Sequence, residues 1–377
     1  NVTTGIFAHS GGSSATEAVA LTATGNSFEN VLAGIGGTWK TYLDAEGNTF
    51  VSIQPDGEGI AVADGTIVAG ADYGYEVDYL VEHNTFNYTA AYQVKDYRSP
   101  VYNVSSGQKH TTIQEAIVEA QDHDTILVAG THELTQSLNI GKPLSLVGIG
   151  EEPAIIDAKH SESYTFPLGN NAQLRVQNIT FKGNGKIGFR ASSQTHVVRL
   201  DFLNCTFEDF SYPIYLSERT LLNGAVEGDN KIDDLSIIGC TFDNNQHVYL
   251  GRGVVNSAQV LGNTFTGDSQ IGIEFYDCWS QRRTGNISFQ DNSFSNEYPI
   301  VLLTGGSVTI DGTNVTYAEV PGGRINVVYV KAATVENERV SISNTQVNGV
   351  IRDLELFEVP GHNGDTVIHC YLVPDED

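Results

Sequence analysis

The sequence predicts an all-β fold, a parallel β-helix in which each coil adds one strand to each of several stacked sheets. Three observations predict it. A four-residue signature ending in Phe recurs along the chain, and short strand-like segments separate its copies. The Asn-Gly turns expected of the rival fold, an antiparallel sandwich, are sparse. That sandwich, built with many Asn turns, stays open as the alternative.

The signature reads Gly or Asn, then Asn or Cys, then Ser or Thr, then Phe, with a few departures at the first two positions. Successive Phe residues are 22 and 36 residues apart in the first part of the chain, and 26, 35, 23 and 29 apart in the second. A minimum near 22 residues with irregular surpluses fits one solenoid coil with loops of varying length. The copies end at Phe28, Phe50, Phe86, Phe181, Phe207, Phe242, Phe265 and Phe294.

The segments between the signatures are too short for helices and carry β-branched residues, so each is predicted to be a strand. Alternation along a strand turns Phe inward and its Ser or Thr neighbour outward, while Asn is expected at the bend. Stacked coils then align Phe on Phe and Asn on Asn. The predicted strands are 174–176, 197–202, 235–238, 258–261, 287–289 and 308–310.

A short helix is predicted near 111–122, because Ile113, Ala116, Ile117 and Ala120 follow helical spacing. Strand-like stretches follow at 124–128, at 138–148, which includes Lys-Pro-Leu and ends in Gly, and at 155–157. This succession resembles the opening of pectin-lyase-like right-handed β-helix domains, over about residues 101–350. The resemblance implies a right-handed solenoid whose first coil is capped by the helix.

Two residues depart from the resembling pattern: His123 and His132 stand where this opening commonly has Gly and Tyr. Both are expected in loops, so the predicted fold is unchanged. The resemblance leaves the activity open, because the same opening heads lyases, hydrolases, epimerases, sugar-binding surface proteins and non-catalytic structural domains.

Two segments are predicted. Residues 1–97 are expected to be β-helix coils without a cap, and residues 98–377 a second β-helix with the helix cap at its N-terminus and β coils at its C-terminus. An uncapped coil exposes unpaired backbone groups. We therefore expect residues 1–25 to receive the last coils of a neighbouring copy, near 340–377, head to tail. The alternative is that the chain, which starts at Asn1 without Met, is a processed chain or a fragment of a larger protein.

Charge limits the partners. Acidic residues number 46 and basic residues 20, for a net charge of −26. This excess repels nucleic acid and anionic membrane surfaces, and no apolar run is long enough to span a bilayer. It also opposes a lyase that acts on polyuronates, since such an enzyme needs cations to stabilise the substrate carboxylate. The expected partners are copies of the chain and glycans, with no nucleic acid and no membrane insertion.

No catalytic site is expected. A glycoside hydrolase would need two carboxylates that face a sugar. If the protein is an enzyme, of the hydrolase or lyase type, the candidate catalytic residues are Asp201, Asp234, Asp277 and Arg282. The alternative interpretation is that these charged side chains are solvated on an outer face.

Aromatic side chains are the candidates for sugar binding, because a flat ring stacks on a pyranose face. They lie in or beside the loops that lengthen the later coils: Tyr215, Tyr249, Tyr276 and Trp279. The alternative is that they pack between coils.

The four cysteines contain no metal-binding pair, so no metal and no other cofactor is expected. Cys205 and Cys240 occupy equivalent signature positions and are interpreted as buried free thiols, with a disulfide as the alternative. Cys278 and Cys370 are the disulfide candidates in an oxidising exterior. Seven Asn-x-Ser/Thr sites suggest a glycoprotein. The candidate acceptors are Asn1, Asn87, Asn103, Asn286 and Asn314.

These observations predict an extracellular or cell-surface structural protein, of the sheath or surface-layer kind, that self-assembles head to tail through its solenoid ends. The alternative is a carbohydrate-active or carbohydrate-binding β-helix protein.

Overall fold

The protein is an all-β solenoid with two short helices among the residues that its computed structural model describes. The chain divides into two compact units: unit 1 comprises residues 1–130 and 146–154, and unit 2 comprises 131–145 and 155–377. The predicted division between residues 97 and 98 stays a prediction. The described residues are 4–9, 19–38, 41–89, 91–150, 152–161, 163–192, 195–216, 231–250, 254–267, 270–276, 285–303, 306–316, 323–330, 340–360 and 365–372.

Up to residue 130 the chain forms short strands and both helices. In order these are β1 (Thr4–His9), β2 (Val19–Thr22), β3 (Ser27–Thr38), β4 (Thr41–Asp44), β5 (Thr49–Val62), β6 (Ile67–Val68), α1 (Glu76–Glu82), β7 (Thr85–Phe86), β8 (Tyr92–Asp96), β9 (Val101–Asn103), β10 (Gln108–Lys109), α2 (Ile113–Glu119) and β11 (Asp124–Ala129).

These strands form parallel stacks, one in the order β1-β3-β5-β7 and one in the order β2-β4-β6, with β8 also paired to β5. β9 pairs antiparallel with both β10 and β11.

From residue 131 the described chain is strand and connection only. The strands are β12 (Thr131–Glu133), β13 (Leu144–Ile149), β14 (Ala154–Asp157), β15 (Tyr164–Leu168), β16 (Ala172–Gln177), β17 (Ile179–Lys182), β18 (Ile187–Ala191), β19 (His196–Leu203), β20 (Thr206–Glu208), β21 (Tyr212–Leu216), β22 (Lys231–Ile238), β23 (Thr241–Asp243), β24 (His247–Leu250), β25 (Val254–Leu261), β26 (Thr264–Thr266), β27 (Ile271–Tyr276), β28 (Asn286–Gln290), β29 (Ser293–Phe294), β30 (Tyr298–Leu303), β31 (Ser307–Asp311), β32 (Asn314–Val315), β33 (Gly323–Val330), β34 (Val340–Ser343), β35 (Gln346–Val347), β36 (Val350–Ile351), β37 (Leu354–Glu358) and β38 (Thr366–Leu372).

In unit 2 each coil contributes one strand to each of three stacks. The first stack runs β16-β19-β22-β25-β28-β31-β34, with parallel pairs throughout. The second runs β17-β20-β23-β26-β29-β32-β35 and ends in the antiparallel strand β36. The third comprises β15-β18-β21 and β24-β27-β30-β33, and it ends in the antiparallel strands β38 and β37. The six strands predicted between signatures all lie within the first stack.

The Phe residues of the signature form the predicted columns inside the coils. Phe265 stacks on Phe242 with ring centroids 4.9 Å apart and on Phe294 at 4.5 Å. In unit 1, Phe50 stacks on Phe28 and on Phe86, both at 4.9 Å. Burying one such ring contributes roughly 1.5–3 kcal/mol, so the column supplies much of the force that holds neighbouring coils together.

The Asn residues lie differently from the prediction. In seven of the eight copies the left-handed bend falls on the first signature position, which is Asn178, Asn204, Asp291 or a Gly. The exception is His83, the C-cap of α1, whose φ is −94°. Asn, Asp and Gly tolerate this conformation best. The second position, Asn or Cys, points into the coil, where Asn263 and Asn292 are buried. Asn is therefore used twice, at the bend and as a buried hydrogen-bonding residue.

The predicted helix is confirmed as α2. Its capping box pairs Thr112 Oγ1 with the N–H of Glu115 at 3.1 Å and Glu115 Oε2 with the N–H of Thr112 at 3.3 Å. Ile113, Ala116 and Ile117 are buried, as their helical spacing requires.

The second helix, α1, was not expected from the sequence. It occupies part of the 36-residue interval between Phe50 and Phe86. Leu80 anchors it in the core, and Glu76 in its first turn pairs with Arg98 at 3.0 Å. The long interval therefore holds a helix as well as a coil. No helix in the described ranges is long and apolar enough to cross a membrane.

Candidate functional site

The outer face of the third stack in unit 2 carries a row of aromatic and charged side chains. In β15, β18 and β21 the first and fourth residues are half-buried and the other three are buried. Parallel register places Tyr164, Ile187 and Tyr212 in one column across three coils. It places Pro167, Arg190 and Tyr215 in a second column. Because the strands repeat one pattern, like positions meet on one surface.

The side chains on this surface contact one another across the coils. The guanidinium carbon of Arg190 lies 3.8 Å from the ring centroid of Tyr164, which is cation–π geometry. Tyr212 lies 5.3 Å from Tyr215 and 5.6 Å from His247, measured between ring centroids. We call these five residues, Tyr164, Arg190, Tyr212, Tyr215 and His247, the tyrosine face.

His247 extends the tyrosine face as a flat ring. Its plane is 19° from that of Tyr212, so the two rings are stacked. Burial lowers the pKa of His247 below its ordinary value of 6.5. The ring is therefore uncharged at neutral pH, and the part of the face formed by Tyr212, Tyr215 and His247 is aromatic and neutral.

Further aromatic residues follow along the same stack. Tyr298 and Tyr329 contact edge to face at 5.7 Å, and the hydroxyl of Tyr329 donates to Asp365 Oδ2 at 2.9 Å. Burial, and next this hydrogen bond, raise the pKa of Tyr329 to about 12. The phenol is thus protonated at any physiological pH, and its hydrogen bond fixes the ring orientation.

The predicted sugar-binding residues fall partly on this surface. Tyr215 belongs to the tyrosine face. Tyr249 lies in β24 and Tyr276 ends β27, the next two strands of the stack, but the structure describes only their backbone. Trp279 lies outside the described residues. Sequence reasoning missed Tyr164 and Arg190. A signal for them was present: Tyr212 and Tyr215 lie three residues apart on one strand, and Tyr164 and Arg190 occupy the matching positions in earlier coils.

The candidate catalytic carboxylates do not lie opposite each other. Asp201 is buried and accepts a hydrogen bond from Arg199 Nε at 2.6 Å. Register pairs Asp201 with Ser236, and pairs exposed Asp234 with Arg199. The two aspartates therefore stand in different columns. Asp277 and Arg282 lie outside the described residues.

Asp233 joins three coils of the first stack. Its carboxylate contacts His196 Nε2 at 2.6 Å, Lys231 Nζ at 2.9 Å and Asn256 Nδ2 at 2.7 Å. Burial alone would raise the pKa of Asp233, but the hydrogen bonds from Lys231 and His196 outweigh it and lower the pKa below 3.8. The cluster therefore joins strands β19, β22 and β25 through the hydrogen bonds of His196 and Asn256, while the ion pair of Asp233 with Lys231 lies within β22.

The cysteines inside the described part of the chain are free thiols. Cys205 and Cys240 are buried at equivalent positions of neighbouring coils, and the N–H of Cys205 points to Cys240 Sγ at 3.4 Å. Cys370 is also buried and free, and burial raises its pKa to about 11. Its predicted disulfide partner, Cys278, lies outside the described residues.

The candidate glycan acceptors differ in exposure. Asn87 and Asn286 are exposed, and Asn314 is half-buried. Asn103 is buried and its Nδ2 donates to Asp124 Oδ2 at 2.8 Å, so the folded protein does not present this nitrogen to solvent. Asn1 lies outside the described residues.

A second surface consists of the outermost strands. Among the described residues of unit 2, large apolar side chains are exposed only on β36 and β37: Val350, Ile351 and Leu356. In unit 1, Phe7 and Val19 are exposed on β1 and β2, the first strands of their sheets, and Leu32, Tyr42 and Val51 are exposed on the inner strands β3, β4 and β5. Exposed apolar side chains on strand edges are a feature of surfaces that pair with other chains.

No protein-family model matches the chain, and no curated protein matches it either. The described ranges contain no group of three or more His, Cys, Asp or Glu residues that could hold a metal ion. The geometry alone therefore supports the functional proposals below.

Proposed function

We propose that the protein binds a neutral polysaccharide along the tyrosine face of unit 2. The observation that carries this proposal is the contact of Tyr212 with both Tyr215 and His247, which brings three aromatic rings together on one outer surface. His247 is stacked on Tyr212, and Tyr215 is tilted by 38° from it. Aromatic rings of this kind stack on the apolar faces of pyranose rings. Parallel coils repeat about every 4.8 Å, so a row of such rings suits an extended chain of sugars better than a single sugar.

The charge of the chain favours a neutral ligand over an acidic one. A net charge of −26 repels polyuronates over the whole surface. Arg190, the cation of the tyrosine face, already lies over the ring of Tyr164.

We further propose membership of the pectin-lyase-like superfamily of right-handed β-helices. The support is the opening motif together with the capping box of α2 and the parallel stacks of unit 2. This membership is compatible with binding and with catalysis, so it does not choose between them.

Affinity electrophoresis and calorimetry with a panel of neutral and acidic polysaccharides would test binding. We expect a neutral polysaccharide to bind, and Tyr212→Ala and Tyr215→Ala each to weaken binding about two- to tenfold, the range for losing one aromatic contact. Tyr42→Ala is the matched control, because Tyr42 is an exposed tyrosine of unit 1.

Two results would contradict the proposal: no polysaccharide binds, or Tyr42→Ala weakens binding as much as the two variants on the tyrosine face. Assays for reducing ends and for unsaturated products on the same panel would reveal turnover. Turnover would show that the protein is an enzyme of the hydrolase or lyase type.

A second candidate function is structural: we propose that copies assemble into a sheath-like or surface-layer-like array outside the cell. The exposed apolar side chains on the outermost strands of both units favour it, because they offer strand edges to other chains. The exposed acceptors Asn87 and Asn286 support an extracellular, glycosylated protein.

Electron microscopy of native material, with light scattering over a wide concentration range, would test assembly. We expect filaments or a lattice that grows with protein concentration. A strictly monomeric protein at all concentrations would overturn the structural proposal and leave the binding proposal untouched.

A further inference from the structure

Strand β37 has a free edge in unit 2. It pairs antiparallel with β38, and among the described residues no strand pairs with its other side. Leu356, at the middle of β37, is 72% exposed, the largest exposed fraction of any large apolar side chain in the described part of the chain. An exposed apolar residue at the centre of an open strand edge marks a place where another strand can add.

The backbone of β37 directs hydrogen-bonding groups out along this edge. The N–H of Val359 donates to the C=O of Asp365 at 3.0 Å, which places position 359 in a bonded pair facing β38. Bonded and non-bonded positions alternate along an antiparallel ladder. The N–H and C=O groups of positions 354, 356 and 358 therefore point away from β38, toward an incoming strand.

The same strand of a second copy can occupy this edge. Two identical edge strands pair antiparallel about a two-fold axis, so one residue lies opposite its own copy. Like charges directly opposite each other destabilise a strand pair. If the two-fold axis passes through Glu355 or Glu358, glutamate lies opposite glutamate. If it passes through Leu354, Asp353 lies opposite Glu355.

A two-fold axis through Leu356 places no like charges directly opposite each other. It sets Leu356 against Leu356 of the second copy, residue 355 against 357, and residue 354 against 358. It also places Arg352 diagonal to position 358, a glutamate, at a distance that long side chains can bridge. Among the described side chains, Arg352 makes no ion pair.

We propose that two copies of the chain pair through β37 about a two-fold axis, with Leu356 opposite Leu356 of the second copy. This inference rests on the second proposed function, self-assembly, and names the partner and symmetry of one contact. The contact joins like ends of two molecules, in place of the head-to-tail contact expected from the sequence. The strand added on each side extends an existing sheet, so the backbone groups along the edge become paired.

A single cysteine tests this symmetry, because only a two-fold contact brings a residue next to its own copy. Leu356→Cys in a Cys278→Ser background is expected to form a covalent dimer under mild oxidation. Bonded antiparallel positions are about 5.5 Å apart at Cα, within the range that a disulfide spans. Val118→Cys in the same background is the control, since Val118 is exposed on α2 and belongs to unit 1.

The charge variant Leu356→Glu gives a second readout. It sets two glutamates opposite each other, and we expect the dimer dissociation constant, measured by analytical ultracentrifugation, to rise at least about tenfold. An unchanged constant would overturn the inference. Leu356→Gln, which adds polarity without charge, is expected to have a smaller effect.

The outcomes separate this inference from the assembly proposal. If copies associate but Leu356→Cys cross-links only when Phe7→Cys is also present, the contact is head to tail and the two-fold inference is wrong while self-assembly stands. If no association occurs at any concentration, self-assembly is wrong, and the two-fold contact with it. A dimer cross-linked by Leu356→Cys alone, and not by Val118→Cys, supports both.

Discussion

The Nδ2 of Asn263 donates to the Oδ1 of Asn292 at 2.9 Å, from one coil of unit 2 to the next. Both side chains are buried. Asn263 also bonds backbone, since its Nδ2 donates to the C=O of Ile237 at 2.8 Å and its Oδ1 accepts the N–H of Cys240 at 2.8 Å. One side chain therefore satisfies backbone groups at the bends of neighbouring coils, where strand pairing cannot reach them.

Asn263→Ala is expected to destabilise unit 2 by about 2–4 kcal/mol, because it leaves the buried N–H of Cys240 and C=O of Ile237 without these partners. Urea unfolding followed by circular dichroism measures the change in free energy of unfolding. Asn286→Ala is the control, because Asn286 is exposed on strand β28, and a change below about 0.5 kcal/mol is expected there. Equal changes in the free energy of unfolding at the two positions would contradict a stabilising role of the buried hydrogen bonds of Asn263.

Arg98→Met is expected to destabilise unit 1 by about 3–5 kcal/mol. The guanidinium of Arg98 is buried with Glu76 at 3.0 Å and Asp96 at 2.5 Å, so its removal leaves two carboxylates without their cation. Lys109→Met is the matched control: Lys109 pairs with Asp64 at 2.7 Å, but its side chain is half exposed. Asp64 is buried, but it keeps the hydrogen bonds from the N–H and Oγ of Ser99 when Lys109 is replaced, so we expect a loss of at most about 1 kcal/mol. Unfolding by urea should therefore separate the two variants clearly, and similar midpoints would contradict the prediction.

The repeat predicted the buried core of the fold better than helix α1 and the contacts on the surface. Phe columns follow from the signature alone, because each Phe lies at the same position of its coil. Helix α1 left no comparable signal: the side chain of its N-cap, Tyr75, makes no capping hydrogen bond, and its ion pair joins Glu76 to Arg98, 22 residues away. The contact of Arg190 with Tyr164 depends on the register between two coils, which loops of unequal length hide in the sequence.

Asp233 gives a pH dependence with a definite sign. In the folded chain its pKa is lower than the ordinary value of 3.8, so the unfolded chain binds a proton there at higher pH than the folded chain does. The contribution of Asp233 to stability is complete above the pKa of this carboxyl in the unfolded chain. It is lost as pH falls through the lower pKa of the folded chain. Asp233→Asn should therefore lower the melting temperature at pH 5–6, and the difference from the parent should shrink below about pH 4.

Asp311→Asn offers a comparison for the pH series. Hydrogen bonds from Ser343 and then Asn344 lower the pKa of Asp311 too, but Asp311, which is half-buried, has no cation beside it among the described residues. We expect a smaller effect at pH 5–6 than for Asp233→Asn. A difference between Asp233→Asn and the parent that is constant from pH 6 to pH 3 would contradict the assignment of the lowered pKa.

The buried thiols should be unreactive in the folded protein. Cys205, Cys240 and Cys370 are free and buried. Burial raises the pKa of Cys370 to about 11, so only a small fraction of this residue is in the reactive thiolate form at pH 8. In a Cys278→Ser background we expect negligible reaction with an aromatic disulfide reagent in native buffer, and three thiols per chain after unfolding in guanidinium. Fewer than three would reveal a disulfide between Cys205 and Cys240. Rapid reaction of one thiol in native buffer would contradict the prediction.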